Sequence, residues 1–95
     1  MDDASTPMVV LKDELRRFNE ARGWGRFHTA RDLAMAVSVE AGELLELFLW
    51  KPHDAVPDKE RLGEEMADVL ICLTNLARRV DLDLMEAVAR KIEKN

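Results

Sequence analysis

The sequence predicts an all-α domain resembling a four-helix bundle. Three observations lead there. Apolar residues recur at spacings of three and four through four segments, no stretch alternates with the period of two that a half-buried strand needs, and short connections containing Gly, Pro or Asp separate the segments. Its 95 residues make a single domain, 1–95, in which residues 1–5 are expected to be disordered.

Helix one is predicted from Pro7 to about Arg22, with Ser5 or Thr6 as its cap and Pro7 in the first helical position, where a missing N–H costs nothing. Met8, Leu11, Leu15 and Phe18 form its apolar stripe. Lys12, Arg16 and Arg17 alternate with Asp13, Glu14 and Glu20 on a solvated face. The run Gly23-Trp24-Gly25-Arg26-Phe27-His28-Thr29 ends the helix, with two glycines that release the backbone. A mere linker would not need its two aromatics, which either plug the end of the bundle or wall a flat ligand.

Helix two is predicted over residues 30–50, with Thr29 as its cap, and is apolar around most of its circumference. That pattern belongs to a central helix. Gly42 in its interior costs about 1 kcal/mol relative to Ala, which implies a neighbouring backbone close by. Pro52 and Pro57 mark the connection that reverses the chain. Helix three, residues 58–80, carries the stripe Leu62, Met66, Val69, Leu70, Leu73, Leu76 and Ala77, with Glu65, Asp68 and Cys72 along one edge. Asp83 caps helix four, whose apolar residues are Leu84, Met85, Ala87, Val88 and Ile92. Arg90, Lys91 and Lys94 near its end suit the helix dipole.

A chain this short buries a smaller fraction of its surface than a large one, yet 47% of it is apolar. The excess predicts a second copy over part of that surface, hence a homodimer or homotetramer. The net charge of −5 argues against DNA or RNA as main partner, because affinity for phosphate backbones comes from clustered Lys and Arg. The single cysteine, Cys72, gives neither an internal disulfide nor a Cys/His zinc pattern. No apolar run reaches membrane-spanning length and Met1-Asp2-Asp3 does not open a signal peptide, so a cytoplasmic location without membrane contact is expected.

The chemistry concentrates in two acidic clusters. Between Asp32 and Trp50 there is no Lys or Arg, so Glu40, Glu43 and Glu46 have no basic partner on their own helix. On a helical projection Glu40 and Glu43 share a strip with Ala36 and Leu47, beside the apolar Leu33, Val37 and Leu44. Burying an unpaired carboxylate costs several kcal/mol, on the order of the ion-desolvation penalty. A cation is the economical answer. Glu65 and Asp68 lie one turn apart on helix three, so antiparallel packing of helices two and three would bring four carboxylates together. Such an oxygen-only set suits Mg²⁺ or Mn²⁺.

Glu40-x-x-Glu43 followed by Glu65-x-x-Asp68, with Arg22-Gly23-Trp24, Phe27-His28, the run from Gly42 to Phe48 and Trp50-Lys51, resembles the all-α nucleoside triphosphate pyrophosphatases of the MazG type, and most the small dCTP pyrophosphatase branch. The likeness covers residues 15–95. It implies Mg²⁺-dependent hydrolysis of a (deoxy)nucleoside triphosphate to the monophosphate and pyrophosphate in a dimer or a tetramer of two dimers, with dCTP-like substrates favoured and nucleotide-pool housecleaning as the role. Under it, Glu40, Glu43, Glu65 and Asp68 are the metal-binding and catalytic residues, and Glu46 and Glu64 lesser candidates. Trp24, His28 and Trp50 would surround base and sugar, while Lys51, Lys91 and Asn95 would lie near the phosphates or the base.

Two readings of other classes compete. A carboxylate-bridged di-iron bundle needs Glu-x-x-His pairs, and neither His28 nor His53 follows a Glu by three. A non-enzymatic helical adaptor would pair the carboxylates with Arg31, Arg61 or Arg79 from another helix. Within the enzyme class, dUTP and phosphoribosyl-ATP are the alternative substrates.

Overall fold

The computed structural model describes residues 1–23 and 29–94, and the described residues form four α-helices and no strand. These are α1 (Met8–Arg22), α2 (Ala30–Glu46), α3 (Lys59–Arg79) and α4 (Leu84–Lys94). Local chemistry sets most of their ends. The Thr29 side chain accepts from the Asp32 N–H at 3.1 Å, Asp58 from Arg61 at 3.3 Å and Asp83 from Glu86 at 3.0 Å, each satisfying a first-turn donor. Gly23 closes α1 at φ 66°, a left-handed position that suits a residue without a Cβ.

Two boundaries differ from the sequence reading. Pro7 is itself the N-cap of α1 and supplies no side-chain bond, while Ser5 and Thr6 turn back to Asp2: Ser5 Oγ donates to Asp2 Oδ1 at 2.6 Å, and Thr6 Oγ1 accepts from the Asp2 N–H at 3.1 Å. Helix α2 stops at Glu46, four residues early. The N–H groups of Leu47, Phe48 and Leu49 donate three residues back instead of four, which tightens the last turn, and Trp50 then takes φ 64°. Pro52 then keeps the helix from resuming, since it disfavours helical backbone at Lys51 and brings no N–H.

Helices α2 and α3 form the principal pair, and α1 packs on α3. The pair runs antiparallel: Glu46 and Leu47 share a cleft with Arg61, Glu43 meets Glu65, and Glu40 senses Asp68 further along α3. The expected solvated face of α1 is present, with Arg16 bonded to Asp13 at 2.9 Å and to Glu20 at 3.0 Å. Lys12 leaves that face and donates to the Leu82 carbonyl at 2.9 Å, tying α1 to the α3–α4 connection. A polar link absent from the sequence reading joins α1 to α3. The buried Asn19 donates to Asn75 Oδ1 at 3.0 Å, and Arg78 donates to the same oxygen at 3.2 Å.

Burial within one chain is sparse. Leu15, Leu33, Leu47 and Ala77 are buried, whereas Met66, Leu70 and Leu73 of the expected α3 stripe, Met35, Val39 and Leu45 of α2, and Met85, Val88 and Ile92 of α4 are exposed. Helix α2 is therefore covered on one side only, not central to a single chain. A Cβ added at Gly42 would meet nothing within 4 Å, so the close backbone approach expected there is not made by the described residues. Among the described residues, no helix is long and apolar enough to cross a membrane.

Candidate metal centre

Helical spacing brings Glu40 and Glu43 onto one strip of α2, and α3 sets Glu65 and Asp68 opposite them. Ligand oxygens of Glu40, Glu43 and Glu65 all lie within 4.8 Å of one another. Asp68 stands outside that trio, but its charge acts on both Glu40 and Cys72. Glu40 and Glu65 are half-buried; Glu43 and Asp68 reach solvent. Glu40 Oε2 and Glu65 Oε2 are fully buried and have no hydrogen-bond partner among the described residues. Buried polar atoms are seldom left so, because an unsatisfied acceptor costs about 1–3 kcal/mol.

These charges alter their own chemistry. Desolvation, then a hydrogen bond shared with Glu43, then the charges of Glu43, Asp68 and Glu65 all raise the Glu40 carboxyl above its ordinary value of 4.5. Partial burial, with Glu40 and Asp68 nearby, likewise raises the Cys72 thiol and keeps it protonated. The residues present fit a divalent cation: two buried oxygens lack partners, every donor is a carboxylate, and opposed strips present them to one point. The adaptor reading required these oxygens to be paired from another helix. Among the described residues, Glu40 Oε2 and Glu65 Oε2 are not.

Beside the cluster opens a cleft of about 370 Å³ lined by Glu43, Glu46, Leu47, Lys51, Arg61 and Glu65. Glu46 and Lys51, both sequence candidates, are thus at the cluster, whereas Glu64 is exposed and does not line the cleft. Trp50 is 100% exposed, so it seals nothing within its own chain. Lys91 is on the exposed last turn of α4, away from the cleft lining. Trp24, His28 and Asn95 lie outside the described residues, as does the aromatic Phe27. Arg61, one turn before Glu65, joins the cleft although the acidic motifs do not point to it.

An all-helical chain that opposes Glu-x-x-Glu to Glu-x-x-Asp across two antiparallel helices defines a carboxylate-lined, cation-fitted α-helical class. The chain belongs to the MazG-like family, whose model matches residues 35–95. It is 44% identical over 100 residues to dCTP pyrophosphatase 1 of Mus musculus and 40% identical over 100 residues to that of Homo sapiens, in each case across 95% of this chain and 59% of the relative. The chain thus spans 59% of the length of these curated relatives. The crystal structure of a pyrophosphatase from Archaeoglobus fulgidus is similar with a TM-score of 0.82 and 38% identity, covering 100% of this chain and 94% of that one.

Because the folded chain holds a proton on Glu40 more tightly than the unfolded chain does, this group's contribution to stability is full below the ordinary value of 4.5 and is lost as pH rises through the raised one. In chelator, wild type is therefore expected to lose stability relative to Glu40→Gln as pH rises from 4 toward 8. Thermal denaturation of both proteins over that range checks this; parallel curves would contradict it.

Proposed function

We propose that this chain hydrolyses (deoxy)nucleoside triphosphates to the monophosphate and pyrophosphate, using Mg²⁺ with Mn²⁺ as a substitute. Substrates like dCTP are favoured, and the role is cytoplasmic housecleaning of the nucleotide pool. The observation that carries this reading is the pair of partnerless buried oxygens, Glu40 Oε2 and Glu65 Oε2, within the carboxylate cluster. Glu40, Glu43, Glu65 and Asp68 would hold the cation. When bound, it would neutralise phosphate oxygens and lower the pKa of a coordinated water.

The chain's own residues do the rest. Water breaks the anhydride between the α- and β-phosphates: one P–O bond forms, one breaks with its electron pair leaving on pyrophosphate, and the water's proton passes to a carboxylate. Glu43 and Asp68, the solvent-reaching members, suit that acceptance. Trp50, held at φ 64° with its whole side chain exposed, offers a face for stacking the base. Lys51, which lines the cleft, would meet the phosphates. By likeness to the family, Trp24 and His28 complete the base site, and Lys91 and Asn95 the remaining grip.

The exposed apolar faces support a homo-oligomer. A compact monomer of 10.9 kDa has about 5,600 Å² of accessible surface by size scaling, and this chain has 7605 Å². An excess of roughly 2,000 Å² per chain is what a sizeable homodimer interface removes.

A panel of nucleoside triphosphates with Mg²⁺, resolved by product, is expected to yield monophosphate and pyrophosphate. Glu43→Gln and Asp68→Asn should each lower turnover by about 100-fold or more with helicity unchanged. Release of single phosphates, or a variant with near wild-type rates, would contradict the assignment. Sedimentation at micromolar concentration should give a dimer or tetramer. An active species of 10.9 kDa would overturn the assembly.

A further inference from the structure

Arg61 sits in the first turn of α3, one turn before Glu65. Arginine followed four residues later by glutamate is a spacing that closes an ion pair on a helix surface. Elsewhere in this chain it does so: Arg16 reaches Glu20 at 3.0 Å in the same order and at the same spacing. At Arg61 the pair is open. The Glu65 carboxylate is directed instead to Glu40 and Glu43, and the Arg61 guanidinium makes no ion pair or hydrogen bond with any described residue. Packing of α3 on α2 has separated two groups that their sequence positions would join.

The separated cation remains inside the cleft, sharing its lining with Lys51, which is also unpaired among the described residues, and with Glu43, Glu46 and Glu65. Acidic oxygens and free cations thus stand in one depression without neutralising each other. A neutral sugar or base satisfies neither set. The complementary ligand is a polyphosphate carried with a divalent cation, whose metal meets the carboxylates and whose remaining oxygens need donors. A guanidinium supplies these as a planar fork that fits two phosphate oxygens at once.

We propose that Arg61 binds the pyrophosphate portion of the triphosphate, the part that leaves, and so determines affinity for polyphosphate over monophosphate. This rests on reading the cleft as the site of nucleoside triphosphate hydrolysis. Negative charge grows on the departing pyrophosphate as the anhydride breaks, so the fork both binds the ground state and stabilises the leaving group. Its exposure lets the side chain be truncated with little effect on the fold.

Isothermal titration of inorganic pyrophosphate into the Mg²⁺-saturated protein tests this, with wild type, Arg61→Ala and Arg61→Lys compared alongside steady-state kinetics. Arg61→Ala is expected to weaken pyrophosphate binding and raise the triphosphate KM by about 10- to 100-fold. Arg61→Lys should recover part of the loss. Affinities for nucleoside monophosphate and for Mg²⁺ alone should not weaken, which a merely structural role would not spare. Wild-type pyrophosphate affinity in both variants, or no pyrophosphate binding by wild type, overturns the assignment. If wild type binds pyrophosphate through Arg61 yet hydrolyses no nucleoside triphosphate, the Arg61 site stands and the proposed activity falls. Undiminished pyrophosphate affinity and KM in Arg61→Ala, beside brisk wild-type hydrolysis, would remove Arg61 and leave the activity intact.

Discussion

Two unit negative charges about 4–5 Å apart near a protein surface repel by roughly 3–4 kcal/mol, and the contact between α2 and α3 holds three carboxylates within that distance of one another. No ion pair among the described residues relieves the repulsion. It bears on Glu40, whose carboxyl desolvation and then Glu43 raise above its ordinary value, and on the buried oxygens of Glu40 and Glu65. Helix packing must hold these groups against their own field. The two helices pack closely, and the buried apolar residues here are Leu33 on α2, Leu47 just past its end and Ala77 on α3, with Leu62, Val69 and Leu76 of α3 half-buried.

Helix α1 also supports α3. Asn19 and Asn75 form the link between α1 and α3, and a hydrogen bond of this kind contributes about 1 kcal/mol net. Its larger effect is on register: were α1 to slide along α3, Asn19 would be buried without a partner. Thr74, fully buried, turns its hydroxyl back to the Leu70 carbonyl at 2.8 Å and leaves no polar atom loose in the same stretch. Polar residues inside an apolar contact thus fix where α3 lies, and through it where Glu65 and Asp68 stand.

Much of this was legible in the sequence because it is local. Capping by Thr29 and Asp83 and the break at Gly23 depend on a few adjacent residues, and the helical period needs no tertiary knowledge. The convergence of Glu40 and Glu43 with Glu65 followed from spacing once two helices were set antiparallel. Other features were not legible. The apolar run at residues 47–50 continues the helical period although the backbone has already left it, tightening after Glu46 and turning left-handed at Trp50. Asn19 reads as solvated on a polar scale, and its partner is 56 residues away. The stripes of α3 and α4 were visible as apolar, but whether one chain or two covers them is not encoded in periodicity. Spacing also favours an Arg61–Glu65 ion pair; packing draws Glu65 toward α2 and undoes it.

The central claim is that the carboxylates are held together for a divalent cation. Thermal denaturation of the wild-type chain, without nucleotide, in Mg²⁺ and in Na⁺ of matched ionic strength, tests it most directly. Binding to the folded state alone at 100 times the dissociation constant stabilises by about 2.7 kcal/mol, which for a domain near this size moves the midpoint by roughly ten degrees or more. The account predicts a midpoint that climbs with Mg²⁺ toward such a shift and returns in chelator. Coincident curves in Mg²⁺ and Na⁺ would contradict it.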